Sequence, residues 1–360
     1  MTAAVAVYLA ATGIGLLLRL LLAGWAVPIP FDHLLHAHSH ALYFGWAAAP
    51  ILISALPPGR ASAWGRWALT SVVPMTIAFL AQGYGPVSIA ASALVMAVWY
   101  VGIAMWWRGT GGREFTASLA YVLVSSLGVW VLAALQAAGS GEGLAGRLAV
   151  HAFLSTFAWS LVLGTVALLM RAEMVHPSVA RRATRWWTAL AWLFFPLGVV
   201  SGPEVPILGW AARIAGVLAL VPAVWWATAL WKTRESVLRA AAGWIVAATA
   251  GLAGAGFAGS SLLTLVGRPG VVFYLHALLL GYVTTVLAWC LARGRAVDID
   301  RPLWWHHVGV ATMLAGVLAP LVGVGRPGLW LAAVGALGVW LAGWWWAARI
   351  FAPREEMVSA

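Results

Sequence analysis

The sequence predicts an all-α integral membrane protein of about twelve transmembrane helices, and three observations carry that prediction. Hydrophobic residues make up 63% of the 360 residues and charged residues only 9%, about a third of the share usual in a soluble globular protein. So few polar groups cannot cover a water-facing surface, and lipid must be the solvent. The apolar runs are long and unbroken, which excludes an outer-membrane barrel, whose strands alternate polar and apolar residues. The third observation is the placement of the cations, which alternates from loop to loop.

A span needs about 20 mostly apolar residues. Cutting at the Gly/Pro/Arg-rich breaks gives twelve, roughly 3–25, 33–56, 65–82, 86–107, 116–138, 148–171, 184–202, 206–231, 238–263, 271–292, 303–323 and 328–351. Pro74, Pro196 and Pro222 are expected to interrupt spans three, seven and eight. The first run is of full length and lacks a small-residue cleavage site, so no cleavable signal peptide is expected. The whole chain, 1–360, reads as a single polytopic domain.

The even-to-odd loops and the C-terminus hold sixteen cations: Arg60, Arg66, Arg108, Arg113, Arg171, Arg181, Arg182, Arg185, Lys232, Arg234, Arg239, Arg293, Arg295, Arg301, Arg349 and Arg354. The opposite loops and their borders hold four, Arg147, Arg213, Arg268 and Arg326, and Arg19 is left inside span one. This is the positive-inside pattern, with both termini cytoplasmic in a bacterial-type inner membrane. It also accounts for the +11 charge without nucleic acid. Many of the 25 tryptophans, such as Trp25, Trp64, Trp67, Trp106, Trp107, Trp186, Trp187, Trp304 and Trp305, sit at span ends as interfacial anchors. The one cysteine, Cys290, excludes a disulfide framework and any cysteine-held cluster.

Ionisable residues inside spans are the default functional candidates of a membrane protein. Of ten carboxylates, Asp32, Glu142 and Glu204 fall in outer loops and the other seven in cytoplasmic segments. The carboxylate relay of proton pumps and proton-coupled carriers is therefore missing. Histidine behaves differently. Spans two, six and ten each run inward from the outer face and carry histidine early: His33, His36, His38 and His40, then His151, then His276. The strings from His40 to Trp46 (HALYFGW) and from His276 to Tyr282 (HALLLGY) share their first three residues, their glycine and a final aromatic. Span six keeps only the histidine, the following alanine and a nearby aromatic. This is an internal repeat of four spans, roughly 1–110, 111–235 and 236–360.

Neutral imidazole is the commonest metal ligand and the usual axial ligand of haem b. Two histidines from different helices at one depth can sandwich a haem iron. Gly45 and Gly281 lie about one and a half turns below the histidines, where a porphyrin or a neighbouring helix would press closest. At about 100° per residue, His33, His36 and His40 share a face, and His38 points roughly 160° away from His40. His38 and His40 therefore serve opposite sides of the helix, and which of them faces span ten is open. His38 is expected to meet His151, holding a second haem, or copper with His36 or His33 as a further ligand, or a simple hydrogen bond. His176 reads as a solvated loop residue, and His306 and His307 lie in the cytoplasmic leaflet.

Twelve spans with histidine helices at two, six and ten resemble subunit I of haem–copper oxidases and nitric oxide reductases. The stretch from His38 to Trp46 is similar to the H-x-H-x(4)-G-[WF] pattern of the cbb-type oxidases and of the NnrS family, haem- and copper-containing membrane proteins linked to nitric oxide stress. The resemblance implies a low-spin haem b held by His40 (or His38) and His276, with His151 at a copper-ligand position. It also has departures. Tyr274 stands where oxidases place the high-spin haem ligand, span seven lacks the copper-binding His-His pair, and no tyrosine accompanies His151. No intramembrane glutamate matches the reductases.

The expected function is accordingly a haem b membrane protein, with one haem or two, working in electron transfer with a redox partner protein or in binding and detoxifying a diatomic gas such as nitric oxide. If it is an enzyme, it is an oxidoreductase of nitric oxide or oxygen. It is not expected to pump protons. Arg19, costly in lipid unless it meets an anion, is the expected partner of a haem propionate. Arg213, Arg268 and Arg326 lie near the same surface. The alternative is a transporter or channel without haem, which requires broken helices and charged residues near the midplane.

Overall fold

A chain in lipid must satisfy each backbone N–H and C=O internally, and a helix does so within one segment. The computed structural model describes residues 1–109, 112–139, 144–194, 206–257 and 269–352, and among them it is all-helical, without a strand. The side chains of Arg147, His151 and Arg213 lie outside that description too.

Among the described residues the chain forms a succession of helices. The first is α1 (Thr2–Leu22). Next, α2 comprises Phe31–His40, a π-helical stretch Ala41–Ala48, and Ala49–Ala55. After these come α3 (Pro58–Gln82), α4 (Pro86–Trp107), α5 (Thr116–Ala137), α6 (Leu144–Arg171), α7 (Pro177–Phe194), α8 (Pro206–Trp231) and α9 (Ser236–Phe257). The last three are α10 (Pro269–Arg293, with π-helical Ala277–Thr284), α11 (Asp300–Leu318) and α12 (Arg326–Phe351). Stretches in seven of them (α1, α4, α5, α6, α10, α11 and α12) are long and apolar enough to cross a bilayer. The protein is a multi-pass membrane protein whose outward residues, such as Leu94, Val101, Leu127 and Leu341, are exposed apolar side chains suited to lipid.

Prolines start several helices, where their missing N–H costs nothing: Pro58, Pro86, Pro177 and Pro206. Gly83, at φ 58°, ends α3 in the left-handed region that a Cβ disfavours. The expected breaks at Pro74 and Pro222 do not occur, because α3 and α8 run straight through them. In a bundle, neighbouring helices and local adjustment take up the one carbonyl that an internal proline frees. Pro196 lies outside the described residues.

The chain forms two compact units, Met1–Gly112 with Thr284–Ala360, and Arg113–Val283. The divisions fall after Gly112 and after Val283. The first unit joins the two ends of the chain because α12 packs on α1 and α11 packs on α12.

In the first unit, α11 and α12 approach at backbone distance. A Cβ on Gly309 would stand 2.7 Å from Val339 N, and one on Gly335 2.7 Å from Gly309 O. Small residues permit such contact in lipid, where dispersion between close backbones replaces the hydrophobic drive. Trp340 donates its indole N–H to Leu9 O at 3.1 Å, tying α12 to α1. Trp64 donates to Val98 O at 2.8 Å, tying α3 to α4. The core of this unit is a cluster of Tyr8, Trp46 and Trp346, with ring centroids 4.9 to 5.7 Å apart.

In the second unit, Ser118 Oγ donates to Ser160 O at 2.7 Å and joins α5 to α6. Tyr121 donates to Thr188 O at 2.8 Å and joins α5 to α7. Trp187 packs edge-on against Trp226, joining α7 to α8. Arg171, at the end of α6, closes on Glu114 at 2.9 Å and lies over the Phe115 ring.

Candidate functional site: the histidine helices

The two strings that match in sequence also match in structure. His40 and His276 each stand immediately before an eight-residue π-helical segment, Ala41–Ala48 and Ala277–Thr284. Well under 1% of residues in proteins are π-helical, and such segments concentrate at functional sites. α6, which keeps less of the string, is α-helical throughout.

Side-chain geometry repeats as well. His40 Nδ1 lies 2.9 Å from His36 O, and His276 Nδ1 lies 2.7 Å from Val272 O, each bonding the carbonyl four residues back. A carbonyl only accepts, so each Nδ1 carries the proton and each Nε2 carries the lone pair. Holding Nδ1–H on a carbonyl is how proteins set the tautomer and orientation of a ligating histidine.

The four histidines of α2 divide between two faces. His33, His36 and His40 face the end of α3 and the turn after it. His33 Nδ1 donates to Leu80 O at 3.1 Å, and its ring packs against Gly83. The His36 ring stands edge-on to Tyr84 at 4.3 Å, and the His40 ring lies on Phe79 at 4.2 Å, with Nε2 3.4 Å from the Tyr84 hydroxyl. His38 points the other way, into α1. It is 8% exposed and donates Nδ1–H to Ala11 O at 2.8 Å, and a Cβ on Gly15 would come within 2.8 Å of Nδ1. Ala11, Gly15 and Arg19 repeat every four residues and so share one face of α1. Arg19 therefore lies one turn beyond the seat of His38 on that same stripe, half-buried.

His38 and the pair His33/His36 sit on opposite faces of α2. No three His, Cys, Asp or Glu side chains group to hold a metal among the described residues. His38 is engaged by α1, and the expected meeting with His151 falls on a side chain outside those described. A haem needs no such trio: its axial ligands are single imidazoles, and the Nδ1-anchored His40 and His276 are of the fitting donor type.

Gly45 and Gly281 are each pressed by a neighbouring helix. A Cβ on Gly45 would stand 3.1 Å from Val72 Cγ1 and closer still to Val7, and one on Gly281 2.7 Å from Trp244 Cδ2. The string-final aromatics are both buried and hydrogen-bonded. Trp46 donates to Thr284 Oγ1 at 2.9 Å, and Tyr282 accepts from the Trp226 indole at 2.9 Å with the Thr165 hydroxyl 3.1 Å away.

His306 and His307 are buried, 0% and 5% exposed, with His306 Nδ1 3.4 Å from the Tyr8 hydroxyl. His176 is exposed on its loop, as its sequence position implies. Sequence reasoning missed Phe79, Tyr84 and Gly15 as neighbours of the histidines. The four-residue spacing of Ala11, Gly15 and Arg19 was the available signal for the last of these. No protein-family model matches the chain, and no curated protein does either.

Proposed function

We propose that the chain is a haem b-binding membrane protein of oxidase-like plan. It has twelve spans in three four-helix repeats, with both termini on the arginine-rich cytoplasmic side of a bacterial-type inner membrane. Its work is electron transfer, or the binding of a diatomic gas such as nitric oxide, and not proton pumping. His40 and His276 are the axial-ligand residues, and Arg19 offers a cation to a propionate. When bound, haem b supplies a one-electron iron centre, closed if both axial positions are filled and open to a gas if one is. The protein's own part is to orient each imidazole through its Nδ1–H, with the lone pair on Nε2.

One observation carries this reading. The two matched strings pair a carbonyl-anchored histidine with a π-helical segment twice in one chain. A structural histidine has no need of such a repeat. The transporter reading gains no support from Pro74 or Pro222, through which the helices continue.

The test is the optical spectrum and pyridine haemochrome count of the purified protein. Sharp Soret and alpha bands with at least one haem b per chain are expected. A preparation that stays colourless after haem supplementation overturns the reading.

A further inference from the structure

Away from the histidine helices, at the arginine-rich end of the second unit, a cleft of about 300 Å³ opens between the loop after α6 and the end of α8. That volume is at the lower end of the ~300–1,000 Å³ typical of small-ligand sites. Its wall carries one acid and one base, Glu173 and Lys232, together with His176, Trp225, Thr228 and Val179. Neither Glu173 nor Lys232 has an ion-pair partner among the described residues, where Arg171 pairs with Glu114. Two opposite charges thus line one cleft without closing on each other.

The backbone holds this arrangement at a cost. Glu173 sits at φ 58°, and Met174 N–H bonds Leu169 O at 3.0 Å, the helix-ending turn that normally takes glycine. Side chains rarely adopt that conformation, yet the residue here is a carboxylate. Across the cleft, His176 Nδ1 accepts from Ser178 N–H at 3.3 Å, so the ring's proton sits on Nε2, a donor. Arg182 lies over the Trp225 ring, 5.9 Å from its centroid, adding positive charge beside the aromatic wall.

We propose that this cleft binds a phosphoethanolamine group, carried by a membrane phospholipid. Its phosphodiester is held by Lys232 and His176 Nε2–H, and its primary ammonium by Glu173. Val179 and Trp225 give the cleft an apolar flank for the first carbons of the acyl chains. A purely anionic headgroup leaves Glu173 facing like charge, and a choline headgroup offers the carboxylate no N–H. This proposal is independent of the haem reading.

The test is thermal unfolding of the full-length protein in nanodiscs of phosphatidylcholine alone, or of phosphatidylcholine with phosphatidylethanolamine or phosphatidylglycerol. The same measurement is made with soluble O-phosphoethanolamine added to the phosphatidylcholine discs. Phosphatidylethanolamine should raise the Tm above phosphatidylcholine alone. Glu173→Gln should lose that increment, and Lys232→Gln should lose it too, while both keep the wild-type Tm in phosphatidylcholine. Retention of the full increment in Glu173→Gln makes it a bulk bilayer effect and overturns the proposal. So does a larger increment with phosphatidylglycerol, which marks a plain anion site. If soluble O-phosphoethanolamine reproduces the shift, the lipid source is wrong.

Discussion

At the scale of single residues, the protein orders three of its imidazoles with backbone carbonyls. His40, His276 and His38 each give Nδ1–H to a carbonyl, at 2.9, 2.7 and 2.8 Å. A carbonyl fixes a ring without adding charge, which suits a segment where a buried carboxylate would be costly. For His38 the seat depends on Gly15. Gly15→Val places atoms within 2.8 Å of Nδ1, so the ring must leave Ala11. The expected destabilisation is ~1–3 kcal/mol, as for other overpacked interiors, read from thermal unfolding in detergent. Thr284→Val is the comparison. It keeps the side-chain volume and removes the acceptor of the 2.9 Å bond from the Trp46 indole, and interhelical hydrogen bonds in membranes average ~0.6 kcal/mol. Gly15→Val should therefore cost more than Thr284→Val, and the reverse order contradicts the idea that packing around His38 dominates.

At the scale of helices, two devices matter: the π-helical segments and the small-residue contact of α11 with α12. Gly309, Gly316, Gly328 and Gly335 each lie against backbone or Cβ atoms of the opposing helix. Gly335→Leu should separate α11 from α12 and lower the unfolding midpoint by more than Gly323→Leu. Gly323 has open space around it but is disfavoured by its own φ of 81°. Equal losses would mean that the backbone contact contributes little beyond ordinary strain. The helices themselves were legible because apolar length is written residue by residue, and so was the likeness of HALYFGW to HALLLGY. The π-helical turn was not legible, since the choice between bonding four or five residues back leaves no signature in residue type. Nor were Phe79 and Tyr84, because which residues face His40 depends on how α2 crosses α3. Proline misled at Pro74 and Pro222, where its cost in water was carried into a bundle that absorbs it.

At the scale of the molecule, the alternation of cations along the chain carries the orientation. Sixteen cations in one set of loops against four in the other predict that the loops holding Arg60, Arg181 and Arg234 face the cytoplasm. In a Cys290→Ser background, a cysteine at Ser178 should stay unlabelled by an impermeant maleimide in intact cells, and one at Gly85 should label. The opposite pattern inverts the topology and removes the histidines from the outer leaflet. The most direct measurement of the central claim is electron paramagnetic resonance of the oxidised protein with a haem count, on wild type, His40→Ala, His276→Ala and His306→Ala. A low-spin ferric signal is expected in wild type and His306→Ala and lost in both His40→Ala and His276→Ala. Wild-type haem content and an unchanged low-spin signal in the His40 and His276 variants would contradict the account.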